Sequence, residues 1–162
     1  MGLLTQIGPF ADGELAHLVN GKIEKKDFMS ISELLLKEPD YQMILVSLPT
    51  LSYQSAGRAL GKMFLQELAW AIGERQQGNN TCYTSVYLDE FSSFAYSEFV
   101  QILNKARSAN VAIHLSHQSL GDLQAISDEF LDIVNTNTNI KVLFGLNDPA
   151  AAEYFSKHIG TR

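Results

Sequence analysis

The chain has 162 residues, 46% of them hydrophobic, which suits a single globular domain with an ordinary core. A net charge of −6 argues against a generally basic surface for nucleic acid or anionic membrane, but leaves room for DNA contact through a local pore loop. One cysteine, Cys82, allows no internal disulfide and fits a reducing cytoplasm; no apolar run reaches the roughly 18 residues of a membrane span, and the start lacks the pattern of a signal peptide.

A short helix is expected through Glu14–Val19, stopped by Asn20-Gly21. A second begins at Ser30-Ile31-Ser32-Glu33, which has capping-box spacing, and ends at Pro39-Asp40. These make residues 1–40 a helical N-terminal segment. Met43-Ile44-Leu45-Val46-Ser47-Leu48 reads as a buried strand closed by Pro49. A long helix follows over about Tyr53–Gln76, with Leu60, Met63, Phe64, Leu68, Ala71 and Ile72 spaced by three and four.

The next stretch organises the chain. Val86-Tyr87-Leu88-Asp89-Glu90-Phe91 is an apolar strand running into two adjacent carboxylates. In an open α/β sheet the carboxyl edge is where ligands bind. An Asp there can help hold Mg²⁺ on a nucleotide, and the following Glu can orient and polarise a water, the layout of a Walker B strand. The bland alternative is a strand that stops at a solvated turn.

A helix around Ser97–Ser108 comes next, then Asn110 turns the chain into the strand Val111–Ser116. Ser119 and Asp122 have capping-box spacing, and one or two helices fill Leu120–Asn135. Ile140–Gly145 is the last expected strand. Asp148-Pro149 is an N-cap followed by a first-turn proline, opening a helix to about His158 that Gly160 can close. Strand and helix thus alternate over residues 41–162, which predicts a three-layer α/β fold: a mostly parallel sheet with helices on both faces.

A phosphate loop needs G-x-x-x-x-G-K-[ST]. Ala56–Met63 offers the Gly-Lys but ends in Met63, which has no hydroxyl for Mg²⁺, and its interior is helix-forming. The stretch reads as a plain helix, so the chain holds half of a nucleotide site and no phosphate loop. His114 and His117 are three apart and face apart on a strand, so a metal pair is not expected. Ser116-His117 lacks the elbow of a nucleophilic hydrolase. Phe91 and Phe94 read as packing anchors beneath the carboxylates, and Asn135, Asn137 and Asn139 as capping and turn residues.

Taken together, Ile44–Pro49, Gly61–Leu68, Leu88-Asp89-Glu90-Phe91, Lys105–Val111, Ser116-His117-Gln118-Ser119, Asn147-Asp148-Pro149 and Tyr154–Gly160 follow in an order that resembles the C-terminal part of the motor domain of TraD/TraG-type coupling proteins. These are the ATPases that feed substrates into type IV secretion and conjugation machines; the stretch corresponds to their TraM-recognition region. The resemblance implies a RecA-like core fragment at 41–162 and assigns roles at matching positions. Asp89 takes the Mg²⁺, Glu90 the catalytic water and Gln118 the γ-phosphate. Arg107 falls where related ring motors place an arginine that reaches the neighbour's nucleotide. Asn110 stands where the family often has Gly, and Asn tolerates the same backbone.

The resemblance also implies a longer parent with an upstream phosphate loop and an N-terminal anchor in the bacterial inner membrane. This segment would be cytoplasmic, without membrane contact of its own. ATP and Mg²⁺ would serve the full-length protein, with neither expected on this fragment, which alone is expected to be inactive. Partners would be a TraM-like relaxosome or accessory protein, DNA in the full-length hexamer, and subunits of the same protein in a ring. The alternatives are a non-hydrolysing docking module, a fragment of an FtsK/HerA-like ring motor or pilus-assembly ATPase, or an α/β domain with an incidental Asp-Glu turn.

Overall fold

The computed structural model describes residues 16, 36, 43–48, 50, 52, 54–78, 82–145 and 147–159. Ala16 and Leu36 are helical. The rest of the expected N-terminal helices, the residues after Gly78 that were to break the long helix, and the closing Gly160 lie outside the described residues.

Helix α1, Gln54–Gln77, is the longest described element. Gly61, Leu65, Leu68, Ile72 and Arg75 are all buried, at spacings of four, three, four and three, while Lys62, Met63, Gln66, Trp70 and Glu74 are exposed. That spacing keeps one stripe of the helix facing the core. Each fully buried leucine or isoleucine contributes about 1.5–3 kcal/mol of transfer free energy. The stripe ends on a charge: Arg75 is 2% exposed and donates to Thr84 Oγ1 (2.7 Å) and to the Cys82 carbonyl. Burial lowers the pKa of its guanidinium, and the nearby Cys82 opposes that shift. The Gly78 N–H closes the helix on the Glu74 carbonyl (3.1 Å).

Strands β1 (Thr84–Leu88) and β2 (Val111–Leu115) pair in parallel, Thr84 against Val111 through Leu88 against Leu115. Parallel neighbours need a crossover. Here it carries short 3-10 turns at Phe91–Ser93, Ser97–Phe99 and Arg107–Ala109 around helix α2, Val100–Ala106. Asn110 closes it in the left-handed region at φ 56°, with its N–H on the Arg107 carbonyl (3.2 Å) and its carbonyl accepting from Thr84 N–H (3.0 Å). Asparagine is one of the few residues that adopts this backbone readily.

Beyond β2 come α3 (Leu120–Gln124), α4 (Asp128–Asn137) and α5 (Pro149–Ile159). The Ser119/Asp122 capping box forms as expected, and Ser127 caps α4 through Phe130 N–H. Asp148 Oδ1 accepts the Ala150 N–H (3.0 Å), so Asp148 and Pro149 open α5 as the sequence predicts. The polar end of α4 closes on itself. Asn135 and Asn137 donate to the Leu131 and Ile133 carbonyls, and Lys141 Nζ reaches the Asn135 and Thr138 carbonyls (2.8 and 2.7 Å).

The core gathers Leu65, Leu68 and Ile72 of α1, Leu88 and Val111 of the strands, Ile102 of α2, Leu123 of α3 and Phe130 and Val134 of α4. Phe91 stands at its centre with no exposed surface, its ring 4.5 Å from that of Phe99, 6.1 Å from Phe94 and 6.2 Å from Phe130. The other sheet face carries Tyr87 and His114, both exposed and stacked at 4.3 Å as cross-strand partners.

Two expected strands do not form. Residues 43–48 and 140–145 pair with neither strand of the ladder, whose order is β1-β2 among the described residues. Met43, Leu45, Ile140 and Phe144 are each more than 80% exposed. An apolar, β-favouring run sets only a local preference; a strand also needs a neighbouring edge to take its backbone hydrogen bonds.

Candidate functional site

The carboxylates sit where two strand ends meet. Leu88 and Leu115 are the last paired residues, so Asp89 and Glu90 emerge beside Ser116. The backbone contacts continue past the strands: Ser116 N–H donates to the Leu88 carbonyl (3.0 Å), and Phe91 N–H to the Ser116 carbonyl (2.9 Å). Burying Phe91 immediately after an exposed Glu90 forces a sharp change of direction. Glu90 makes it in the left-handed region, φ 48° and ψ 41°, a conformation that costs a residue with a Cβ about 1–2 kcal/mol. Such strain persists where surrounding contacts over-determine it.

Those contacts are visible. Glu90 N–H donates to Ser116 Oγ (3.1 Å) and to Asp89 Oδ1 (3.1 Å). The Ser116 hydroxyl donates to Asp89 Oδ1, and the Gln118 side-chain amide donates to Glu90 Oε1. Both contacts to Asp89 use Oδ1; Oδ2 accepts no hydrogen bond among the described residues. The Ser119 cap anchors the start of α3 just after Gln118, with its N–H on Asp122 Oδ2 (3.0 Å) and its Oγ accepting Asp122 N–H (3.2 Å). Asp89, Glu90, Ser116 and Gln118 are all solvent-exposed, so the cluster is an open surface rather than a closed pocket.

Three of the four expected site residues therefore come together: Asp89, Glu90 and Gln118. Arg107 does not join them. It lies exposed in the turn before β2, at the opposite end of the strand pair. A five-residue strand at about 3.3 Å per residue puts roughly 15 Å or more between it and the carboxylates of its own chain.

The Ala56–Met63 stretch lies within α1, as expected of a plain helix. Gly61 has a packing reason. A Cβ built there would lie 2.8 Å from Phe94 Cβ and 2.9 Å from Phe94 Cγ. The glycine lets the segment following Glu90 press against α1. The histidines also stay apart: His114 stacks on Tyr87, and His117 Nδ1 contacts the Ser119 carbonyl (2.9 Å). Among the described residues no group of three His, Cys, Asp or Glu side chains could hold a metal by itself. A groove of about 410 Å³ between α1 and α2, lined by Gln66, Tyr96, Glu98, Gln101 and Lys105 among others, is separate from the carboxylates. Burial, and then the Glu98 carboxylate, raise the pKa of the Tyr96 phenol within it.

Sequence reasoning missed Ser116 as a partner of the carboxylates. The usable signal was positional: Ser116 follows β2 as Asp89 follows β1, and two strands of equal length in register bring those positions side by side. It also missed Arg75, whose place in the three-four spacing of α1 marks it for burial despite its charge.

Residues 83–162 match the family described as the TraM recognition site of TraD and TraG. This part of the chain belongs to that coupling-protein family. Among curated proteins, the Type 4 coupling protein DotL of Legionella pneumophila is similar at 26% identity over 178 residues, an alignment that takes in 99% of this chain and 22% of the relative. The chain thus spans about a fifth of the length of that coupling protein. No solved structure matches. The family match starts at Tyr83, beside β1, and takes in every residue of the Asp89–Gln118 cluster as well as Arg107. No described helix is long and apolar enough to cross a membrane.

Proposed function

We propose that this chain is the Walker B-bearing part of a type IV secretion coupling ATPase, a ring motor that recruits a TraM-like relaxosome or effector protein and drives DNA or protein transfer. The observation that carries it is the hydrogen bond from the Gln118 amide to the Glu90 carboxylate at the carboxyl edge of a parallel strand pair. In this reading the sheet belongs to a three-layer RecA-like core, completed by upstream sequence that supplies the phosphate loop. The parent is anchored in the inner membrane, with this segment on the cytoplasmic side.

Mg²⁺-ATP would supply the scissile phosphoanhydride and the charge that neutralises it. Mg²⁺ is commonly bound by one or two carboxylates together with nucleotide phosphates and water, so a single Asp89 carboxylate with Oδ2 available suits it. Glu90 orients the attacking water and accepts its proton. Gln118 has one amide group that donates and one oxygen that accepts, which lets it bridge Glu90 or a water to a phosphate oxygen. Arg107, remote from the carboxylates of its own chain, serves the nucleotide of the adjacent subunit, where its planar charge stabilises the transferring phosphoryl group.

The test is hydrolysis in the full-length protein. Glu90→Gln should retain Mg²⁺-nucleotide binding through Asp89 and lose about 100-fold or more in turnover, the scale of a positioned general base. Wild-type turnover in Glu90→Gln would end the ATPase reading and favour a docking module that binds a relaxosome protein without hydrolysis. The 162-residue chain alone should show only background turnover, unchanged by Lys62→Ala, because Gly61-Lys62 is part of α1.

A further inference from the structure

We infer that Ser116 is a positioning residue for the Asp89–Glu90 pair, acting through the two carboxylate residues and touching no substrate itself; the inference rests on the hydrolytic reading above. One residue supplies four of the contacts that shape the turn. Its backbone N–H holds the Leu88 carbonyl and its carbonyl holds the Phe91 N–H (3.0 and 2.9 Å), which locks the residues on either side of the carboxylates. Its hydroxyl accepts the Glu90 N–H (3.1 Å) and donates to Asp89 Oδ1. A hydroxyl is suited to this because it can accept and donate at once.

The consequence follows from the geometry of the two neighbours. Glu90 occupies a left-handed backbone that a residue with a Cβ adopts at a cost, and the Ser116 hydroxyl is one of the groups that satisfies its N–H there. The same oxygen engages Oδ1 of Asp89, which orients the carboxylate and leaves Oδ2 as the atom offered to a cation. Losing the hydroxyl therefore loosens the aim of both residues together. It should not unfold the domain, because Ser116 is exposed and its two backbone contacts survive truncation of the side chain. A nucleophilic role is not supported: among the described residues no imidazole contacts Ser116, and the His117 ring engages the Ser119 carbonyl.

Ser116→Ala and Ser116→Thr in the full-length protein, beside Glu90→Gln, test this. Partners that orient metal ligands typically carry about 10–100-fold in affinity or activity, so Ser116→Ala should lower kcat by about 10-fold and raise the Mg²⁺ concentration for half-maximal turnover. The KM for nucleotide at saturating Mg²⁺ should move by no more than about twofold, since substrate binding is not what the hydroxyl serves. Ser116→Thr keeps a hydroxyl on the same carbon and should restore most of the lost turnover. In the 162-residue chain, amide exchange in Ser116→Ala should quicken at Glu90 and stay unchanged at Phe91, whose partner is the backbone carbonyl. Wild-type kcat and Mg²⁺ dependence in Ser116→Ala, or equal losses in the Ala and Thr variants, would overturn the inference. An inactive Glu90→Gln beside a fully active Ser116→Ala removes only the positioning role, whereas a fully active Glu90→Gln removes the hydrolytic reading and this inference with it.

Discussion

Gln118 donates its side-chain amide to the Glu90 carboxylate across the ends of two parallel strands, joining residues 28 apart in the chain. In the proposed hydrolytic reading Gln118 senses phosphate and Glu90 activates the water, and residues in direct contact act as a unit, so the two should not contribute independently. In a double-mutant cycle on turnover of the full-length protein, Gln118→Ala combined with Glu90→Gln should cost less than the sum of the single losses. Contacting residues usually show coupling of about 0.5–3 kcal/mol. Strict additivity would separate Gln118 from Glu90 functionally.

Gly61 should be a stability residue and Lys62 should not. An alanine methyl at position 61 would sit 2.8 Å from Phe94 Cβ and 3.3 Å from Leu48 Cδ1. Overpacking of this kind costs about 1–3 kcal/mol, while replacing a helical glycine by alanine regains about 1 kcal/mol of propensity. Gly61→Ala is therefore expected to lower the denaturation midpoint. Lys62 is exposed, and Lys62→Ala should stay within about 0.5 kcal/mol of wild type. The reverse order in a urea titration would reopen the phosphate-loop interpretation of this stretch.

Asn110 carries a backbone requirement. At φ 56° and ψ 37° it occupies the left-handed region at the entrance to β2. Asn110→Gly should be tolerated within about 0.5 kcal/mol, since glycine adopts this backbone freely. Asn110→Val should cost about 1–2 kcal/mol, because its branched Cβ clashes with the following carbonyl. Equal stability of the two variants by chemical denaturation would contradict the assigned conformation.

Arg107 is predicted to act between subunits. In the proposed ring motor, where the charge of Arg107 serves the transition state, Arg107→Ala should lower turnover while leaving nucleotide affinity nearly unchanged. Rings that mix Arg107→Ala with Glu90→Gln subunits should regain part of the activity that each uniform ring has lost. Recovery comes from junctions where an intact Glu90 meets an intact Arg107 next door. No recovery on mixing would assign Arg107 to its own subunit or to solvent.

Much of this protein is decided within a few residues of chain. Helix α1 with Leu68, Ala71 and Ile72 on its buried face, the Ser119/Asp122 box, the Asp148-Pro149 helix start and the left-handed Asn110 are legible in the sequence, because each depends on contacts one to four positions away, although Met63, expected on the same stripe of α1, is exposed. The Asp-Glu pair was legible as a strand end because the apolar run Val86–Leu88 stops at two adjacent carboxylates. Tertiary structure alone decided that Ser116 and Gln118 meet those carboxylates, that Gly61 serves Phe94, and that Arg107 stands apart from them. It also left 43–48 and 140–145 outside the ladder despite their strand-like composition. The division has one physical cause. Helix caps and turns satisfy their hydrogen bonds locally, whereas a strand and everything placed at its end take their partners from a distant segment whose register the local sequence does not specify.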